Sequence, residues 1–168
     1  MRQQYQRRRR PRHWVLIGVL VVILVLLLGG GYLIHRATDP FNQAQTHAEK
    51  VARQKGHLTK TTHFYWTNLD TTYYTVAGQN KAKQSVYAIV PKSSKADVTV
   101  LKKKDGMSRN VALKRVWQRN PKKVLSAALS LFNGKPAWQI SYLSKSGKLC
   151  YLTLQYSNGK VLQQISNL

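Results

Sequence analysis

The stretch Asn133–Lys160, NGKPAWQISYLSKSGKLCYLTLQYSNGK, decides the fold. Three turn signals punctuate it: Asn133-Gly134, Ser146-Gly147 and Asn158-Gly159. Asn-Gly is a strong short hairpin signal because both central positions of a type I′ turn want positive φ. Between the turns the apolar residues alternate. Trp138, Ile140 and Tyr142 fall on one face of a strand at 136–143, and Cys150, Leu152, Leu154 and Tyr156 on one face of a strand at 148–156. Alternation with period two is the signature of a half-buried strand. The same pattern extends backwards through Leu125, Ala127, Leu129 and Leu131, predicting a strand at 124–132, and forwards into a last strand at 160–166. Four antiparallel strands result.

Working upstream, Asp105-Gly106-Met107-Ser108 opens a helix with Ser108 as N-cap. Leu113, Val116 and Trp117 form its apolar stripe, and Pro121 ends it. Before that lies a second meander, predicted at 59–68, 71–78, 84–91 and 96–102, where β-branched and aromatic residues concentrate. Asp39-Pro40 reads as a helix start and Gly56 as a stop, predicting a helix at about 40–55 with Phe41, Ala44, Ala48, Val51 and Ala52 on one face. The two halves align. Asp39 matches Asp105 and Tyr65-Trp66 matches Leu131-Phe132 at a shift of 66, whereas Tyr74 meets Trp138, Val76 meets Ile140, Tyr87 meets Tyr151 and Val90 meets Leu154 at 64. The expected fold class is α+β: a helix plus a four-stranded antiparallel sheet, used twice in tandem. The first copy spans 35–103 and the second 104–168. Units of this size have little core of their own, so the pair is expected to brace itself around Lys102–Gly106.

The N-terminus reads differently. Trp14–Ile34, WVLIGVLVVILVLLLGGGYLI, carries no charge over 21 residues. At about 1.5 Å per residue such a helix spans roughly 30 Å, the thickness of a hydrocarbon core. Arg2, Arg7, Arg8, Arg9, Arg10 and Arg12 precede it without a single acid. The positive-inside bias therefore predicts a cytoplasmic tail at 1–13, a transmembrane helix at 14–34 bounded by Trp14 and Ile34, and an extracytoplasmic remainder. The alternative, a cleaved signal peptide, calls for a shorter apolar run and a small-residue cleavage site; the glycines at 29–31 are the nearest approach to one.

The 168-residue chain carries 28 Lys+Arg against 5 Asp+Glu, a formal +23. Six basic residues precede the span, so the 22 beyond it, with all five acids, leave +17 outside. Anionic partners are implied, wall polymer or lipid head groups among them. Lys102, Lys103, Lys104, Arg109, Lys114, Arg115, Arg119, Lys122 and Lys123 cluster around the second helix as a candidate binding patch. The aromatic residues that would stack bases sit at core positions, which together with the outward topology argues against nucleic acid.

Catalytic chemistry finds little support. Of Asp39, Glu49, Asp70, Asp97 and Asp105, two lie at helix starts and two near turns, and no two are spaced as an acid/base couple. His13, His35, His47, His57 and His63 make no metal-ligand spacing with one another or with Cys150. Cys150 alternates with leucines, as a small core residue does. There is no Gly-x-Ser-x-Gly and no phosphate-binding glycine loop outside the apolar span. The expectation is a protein without catalytic residues, metal or cofactor.

A basic tail, one span and two helix-plus-sheet repeats resemble the cell wall elongation regulator TseB-like (YpmB-like) family of Gram-positive bacteria, whose domains belong to the PepSY, cystatin-like group. Trp138-Gln-Ile-Ser-Tyr142 and Tyr151-Leu-Thr-Leu-Gln-Tyr-Ser-Asn-Gly-Lys160 carry the resemblance. Where such strands often hold an acid before the glycine turn, this chain has Gln155, Ser157 and Asn158, and the first repeat has Ser94-Lys95 in place of Asn-Gly. The resemblance implies a non-catalytic, single-pass membrane regulator that works with a penicillin-binding protein. PepSY-type modules are also linked with inhibition of secreted proteases, so a peptidase-modulating role is one alternative. An electrostatic tether to anionic wall polymer is another.

Overall fold

A computed structural model describes residues 12–68, 71–93 and 97–166, without the side chains of 12–13, 31–35 and 37–38. Asp70 and the Ser94-Lys95 pair lie outside the described residues, as does the side chain of Ile34. The chain divides into two compact units, Met1–Asn42 and Gln43–Leu168.

The first unit holds most of helix α1, Arg12–Gln54, which is a single helix of 43 residues with Pro40 inside it. The expected helix start at Asp39-Pro40 is therefore corrected. Proline suits a first helical turn, but it also tolerates helix on its N-terminal side at the loss of one hydrogen bond. The leucine-rich run before it is strong enough to supply that helix. From Trp14 to Leu28 the large apolar side chains are all exposed. Among the described residues no helix is long and apolar enough to cross a membrane.

The second unit holds two antiparallel four-stranded sheets. The first is β1 Leu58–Asn68, β2 Thr72–Asn80, β3 Ser85–Pro91 and β4 Thr99–Lys102, paired in that order. The second is β5 Lys123–Phe132, β6 Lys135–Leu143, β7 Leu149–Gln155 and β8 Val161–Ile165. A short 3-10 turn, Lys103–Asp105, and helix α2, Arg109–Trp117, join them. Ser108 caps α2 as expected, its Oγ accepting from the Val111 N–H at 3.3 Å. The helix stops at Trp117 rather than at Pro121, and Asn120 takes a positive φ of 52° before the proline. Its buried face is Ala112 and Val116, with Leu113 half-buried and Trp117 turned to solvent.

Strand register makes the repeat explicit. Tyr74 pairs with Val90 and Trp138 with Leu154; Tyr87 pairs with Leu101 and Tyr151 with Ile165. Each pair lies 64 residues on from its counterpart, the shift expected for these strands. The first strand of each sheet departs from the sequence alignment. Trp66 pairs with Tyr74 and Leu129 with Trp138, so Leu129, not Phe132, is the counterpart of Trp66. Three residues separate β1 from β2, and only the two of the Asn133-Gly134 turn separate β5 from β6, which changes where the strands meet. In the latter both residues have positive φ, 48° and 73°. A bulge between Val124 and Ser126 turns Leu125 outward, so it leaves the alternation expected of it.

Two cores follow. The C-terminal part of α1 lays Ala48 and Ala52 on Leu58, Tyr74, Val76, Val86, Ala88 and Val90. Glu49 and Arg53 stitch it to β1: the Thr61 hydroxyl donates to Glu49 and Arg53 donates to the Thr59 carbonyl. Gly56 sits where a Cβ would meet the Ala52 carbonyl oxygen at 2.6 Å, and His57 then takes the left-handed conformation that Gly56 was expected to supply. The second core is built on Leu129, Trp138, Ile140, Tyr142, Cys150, Leu152 and Leu154. Nine residues of α2 are too few to cover it. Ala77, Tyr87 and Ile89, from the opposite face of the first sheet, complete the cover. Tyr65 and Tyr87 meet Trp138 edge-on at 6.2 and 5.8 Å between ring centres.

The sheets are also joined by hydrogen bonds. The buried Thr75 hydroxyl donates to the Leu129 carbonyl at 2.6 Å, and Arg109 Nε donates to the Ala127 carbonyl at 3.3 Å. Both acceptors lie on the side of β5 that has no strand neighbour.

Candidate protein-binding groove

The nine basic residues expected to form one patch take different roles. Lys104, Lys114, Arg115, Lys122 and Lys123 are exposed. Arg109 turns inward to Ala127, Arg119 donates to Gln164 Oε1 at 2.7 Å, and Lys103 places its ammonium 5.0 Å from the centre of the Tyr87 ring. Cations over aromatic faces are partly desolvated and held. Lys102 is exposed at the end of β4 and lines a groove of about 500 Å³.

That groove runs between β4 and the adjoining ends of β6 and β7. Val100, Leu101 and Lys102 form one wall; Lys135, Pro136 and Tyr156 form the other. The walls are fixed by a chain of bonds. Tyr156 donates its hydroxyl to the Lys102 carbonyl at 2.8 Å, its own carbonyl accepts from Met107 N–H at 2.7 Å, and the Met107 carbonyl accepts from Trp138 Nε1 at 2.8 Å. Gly106 is required there, because a Cβ would collide with the Tyr156 ring. Sequence reading found Lys102 from its lysine run. It missed Lys135, Pro136 and Tyr156 as groove residues, since only the fold brings them to β4.

Three tyrosines beside the groove have displaced titrations. Burial pushes Tyr87 up to about 12, helped by the neighbouring Tyr65 and Tyr156 phenols and opposed by Arg109. Tyr65 is raised by burial, again against Arg109. Tyr156 is raised by burial and then by the Asp105 carboxylate. All three stay neutral near pH 7, so the charge facing the groove is that of its lysines and Asp105. Cys150 is a free cysteine buried in the core, as its alternation implied.

A second, smaller cleft of about 120 Å³ lies on the far face of the second sheet, walled by Trp66, Asn68, Gln139 and Tyr151. Its lining holds amides, hydroxyls and aromatic rings but no charge.

Comparison with known proteins places these elements. Residues 47–91, from the end of α1 through β3, match the model of the cell wall elongation regulator TseB-like domain. The chain is 27% identical over 95 residues to the probable cell wall elongation regulator TseB of Bacillus subtilis (strain 168), a match covering 56% of this chain. It spans 59% of that relative's own length. The solved structure of the YpmB protein from Bacillus subtilis has the same fold, with a TM-score of 0.64 at 24% identity over 72% of this chain and 95% of that one. The chain thus carries a stretch similar to the TseB-like domain at 47–91 and shares its fold with the YpmB protein.

Proposed function

We propose that this protein is a non-catalytic regulator of cell-wall elongation, anchored in the membrane by its N-terminal span. On this reading its two helix-plus-sheet repeats, 35–103 and 104–168, lie outside the cytoplasm, and it acts by binding a penicillin-binding protein. The observation that carries the regulatory role is the TseB-like domain at 47–91, which supplies most of the first sheet and the helix on it. The anchor is supported by the exposed apolar row Trp14–Leu28 and by the arginines that precede it. Confinement to one membrane raises effective concentration, so an interface of modest affinity suffices for regulation. The groove between β4 and the second sheet offers such an interface.

Deleting the gene should change cell width and length, and mild crosslinking of the intact protein in its own membranes should bring down a wall-synthesis enzyme. Normal cell shape together with a crosslinked fraction free of such enzymes would defeat the reading. A secreted protease in that fraction would replace it with peptidase modulation. Topology is checked separately: a reporter active only outside the cytoplasm, fused after Leu168, should be active. Finding chiefly a soluble form lacking residues 1–35 would overturn the anchor.

A further inference from the structure

β4 is the outermost strand of the first sheet and only four residues long. Backbone groups of alternate residues in a strand point to opposite sides. Lys92 N–H bonds the Thr72 carbonyl, so the even-numbered residues of β3 face β2 and the odd-numbered ones face β4. Tyr87 and Ile89 therefore bond Leu101 and Thr99. Val100 and Lys102 are left pointing away from the sheet, and the Tyr156 hydroxyl on the Lys102 carbonyl agrees with that direction. The Val100 N–H and C=O thus face the groove described above, with no hydrogen-bond partner among the described residues.

We propose that an extended, acidic segment of a partner protein adds to β4 as a fifth strand of the first sheet. The proposal rests on the reading that this protein works by docking, and names the mode and chemistry of the dock. A peptide backbone is the ligand that supplies both an acceptor for the Val100 N–H and a donor for its C=O. Wall polymers and lipid head groups offer the lysines an anion but lack the alternating amide row. Main-chain pairing gives such additions their affinity, and flanking side chains their selectivity. Here Lys102 on one wall and Lys135 on the other select for acidic side chains, and Lys104 lies just beyond. Asp105, also on the groove, disfavours an acid at that end and so helps set the register. Val100, Leu101, Pro136 and Tyr156 provide apolar floor for the residues between. At about 3.4 Å per residue, four residues of edge accept a segment of about 14 Å.

The test uses the full chain in detergent micelles and a capped decapeptide alternating valine and glutamate; a second decapeptide has lysine for glutamate. The glutamate peptide should bind, slow exchange of the Val100 amide and bind less tightly as salt rises. The lysine peptide should bind at least tenfold more weakly. Val100→Pro removes the outward N–H without touching a bond to β3, a place where edge strands accept proline, and should weaken binding tenfold or more. Lys135→Glu lies outside the strand, leaves its backbone intact and should weaken it by a similar factor, so the result does not depend on Val100→Pro folding. Equal binding of both peptides, protection at another edge, or full affinity in Lys135→Glu would overturn the proposal. Self-association of the chain abolished by Val100→Pro would overturn it in favour of β4–β4 pairing between two copies. Peptide binding that behaves as expected while gene deletion leaves the wall unchanged would sink the wall-elongation reading and leave this one standing.

Discussion

Trp138 does more than fill space. It is fully buried, donates to the Met107 carbonyl and meets the Tyr65 and Tyr87 rings at near right angles. Trp138→Ala should cost about 3–5 kcal/mol, the range for large aromatic truncations, read as a lower denaturant midpoint. Ser130 behaves oppositely. Its hydroxyl is buried with no hydrogen-bond partner among the described residues, and an unpaired buried polar group carries an uncompensated desolvation cost. Ser130→Ala should therefore leave stability unchanged or raise it by up to about 1 kcal/mol; a clear loss would mean the hydroxyl has a partner. Tyr87 gives a pH signature. The folded chain holds its phenolic proton to about pH 12, whereas an unfolded tyrosine releases it near 10. The stability linked to that proton is whole below pH 10 and is lost as pH climbs towards 12. Alkaline unfolding followed by tyrosine absorbance should show this fall, and Tyr87→Phe should flatten it.

The elements differ in how plainly the sequence announces them. The hairpin at Asn133-Gly134 is written in two residues whose backbone needs are local. Gly134→Ala, forcing a side chain into φ 73°, should cost about 1–2 kcal/mol, measurable as a lower melting temperature. Strand positions were legible because alternation records burial one residue at a time. The start of α1 was not. Asp39-Pro40 satisfies the rules for a helix start, and nothing within those residues tells whether helix also precedes them. The bulge at Val124–Ser126 was hidden for a similar reason, since it depends on how β5 meets β6. The groove was half legible. The lysine run placed one wall, but the other begins at Lys135, 33 positions beyond Lys102, and no local pattern marks which strand edge stays open.

Across the second unit, the asymmetry between the two sheets is the organising fact. At the repeat shift, Ala77 and Ile89 on the back of the first sheet become Ser141 and Thr153 on the back of the second. The apolar back packs into the second core, while its polar counterpart, with Thr153 and Gln139 buried, meets the Trp66–Asn68 end of β1 across a small cleft. Because the second core takes residues from both sheets, residues 43–168 should unfold in one transition, with calorimetric and van't Hoff enthalpies equal. Tyr87→Ala, a change in the first sheet, should speed amide exchange in β6 and β7; protection lost only in the first sheet would show the two to be independent.

The two bonds on the open side of β5 carry a practical warning. The Thr75 hydroxyl and the Arg109 guanidinium occupy the Leu129 and Ala127 carbonyls, groups that would otherwise invite a foreign strand. Arg109 also stands among the basic residues that a charge scan would neutralise first. Its removal would strip a guard from a sticky border, and cells carrying Arg109→Ala would show clumping and depletion of the protein. A geneticist reading that phenotype as a lost electrostatic contact would credit the wrong cause, so the charge scan should be run with Arg109 left in place.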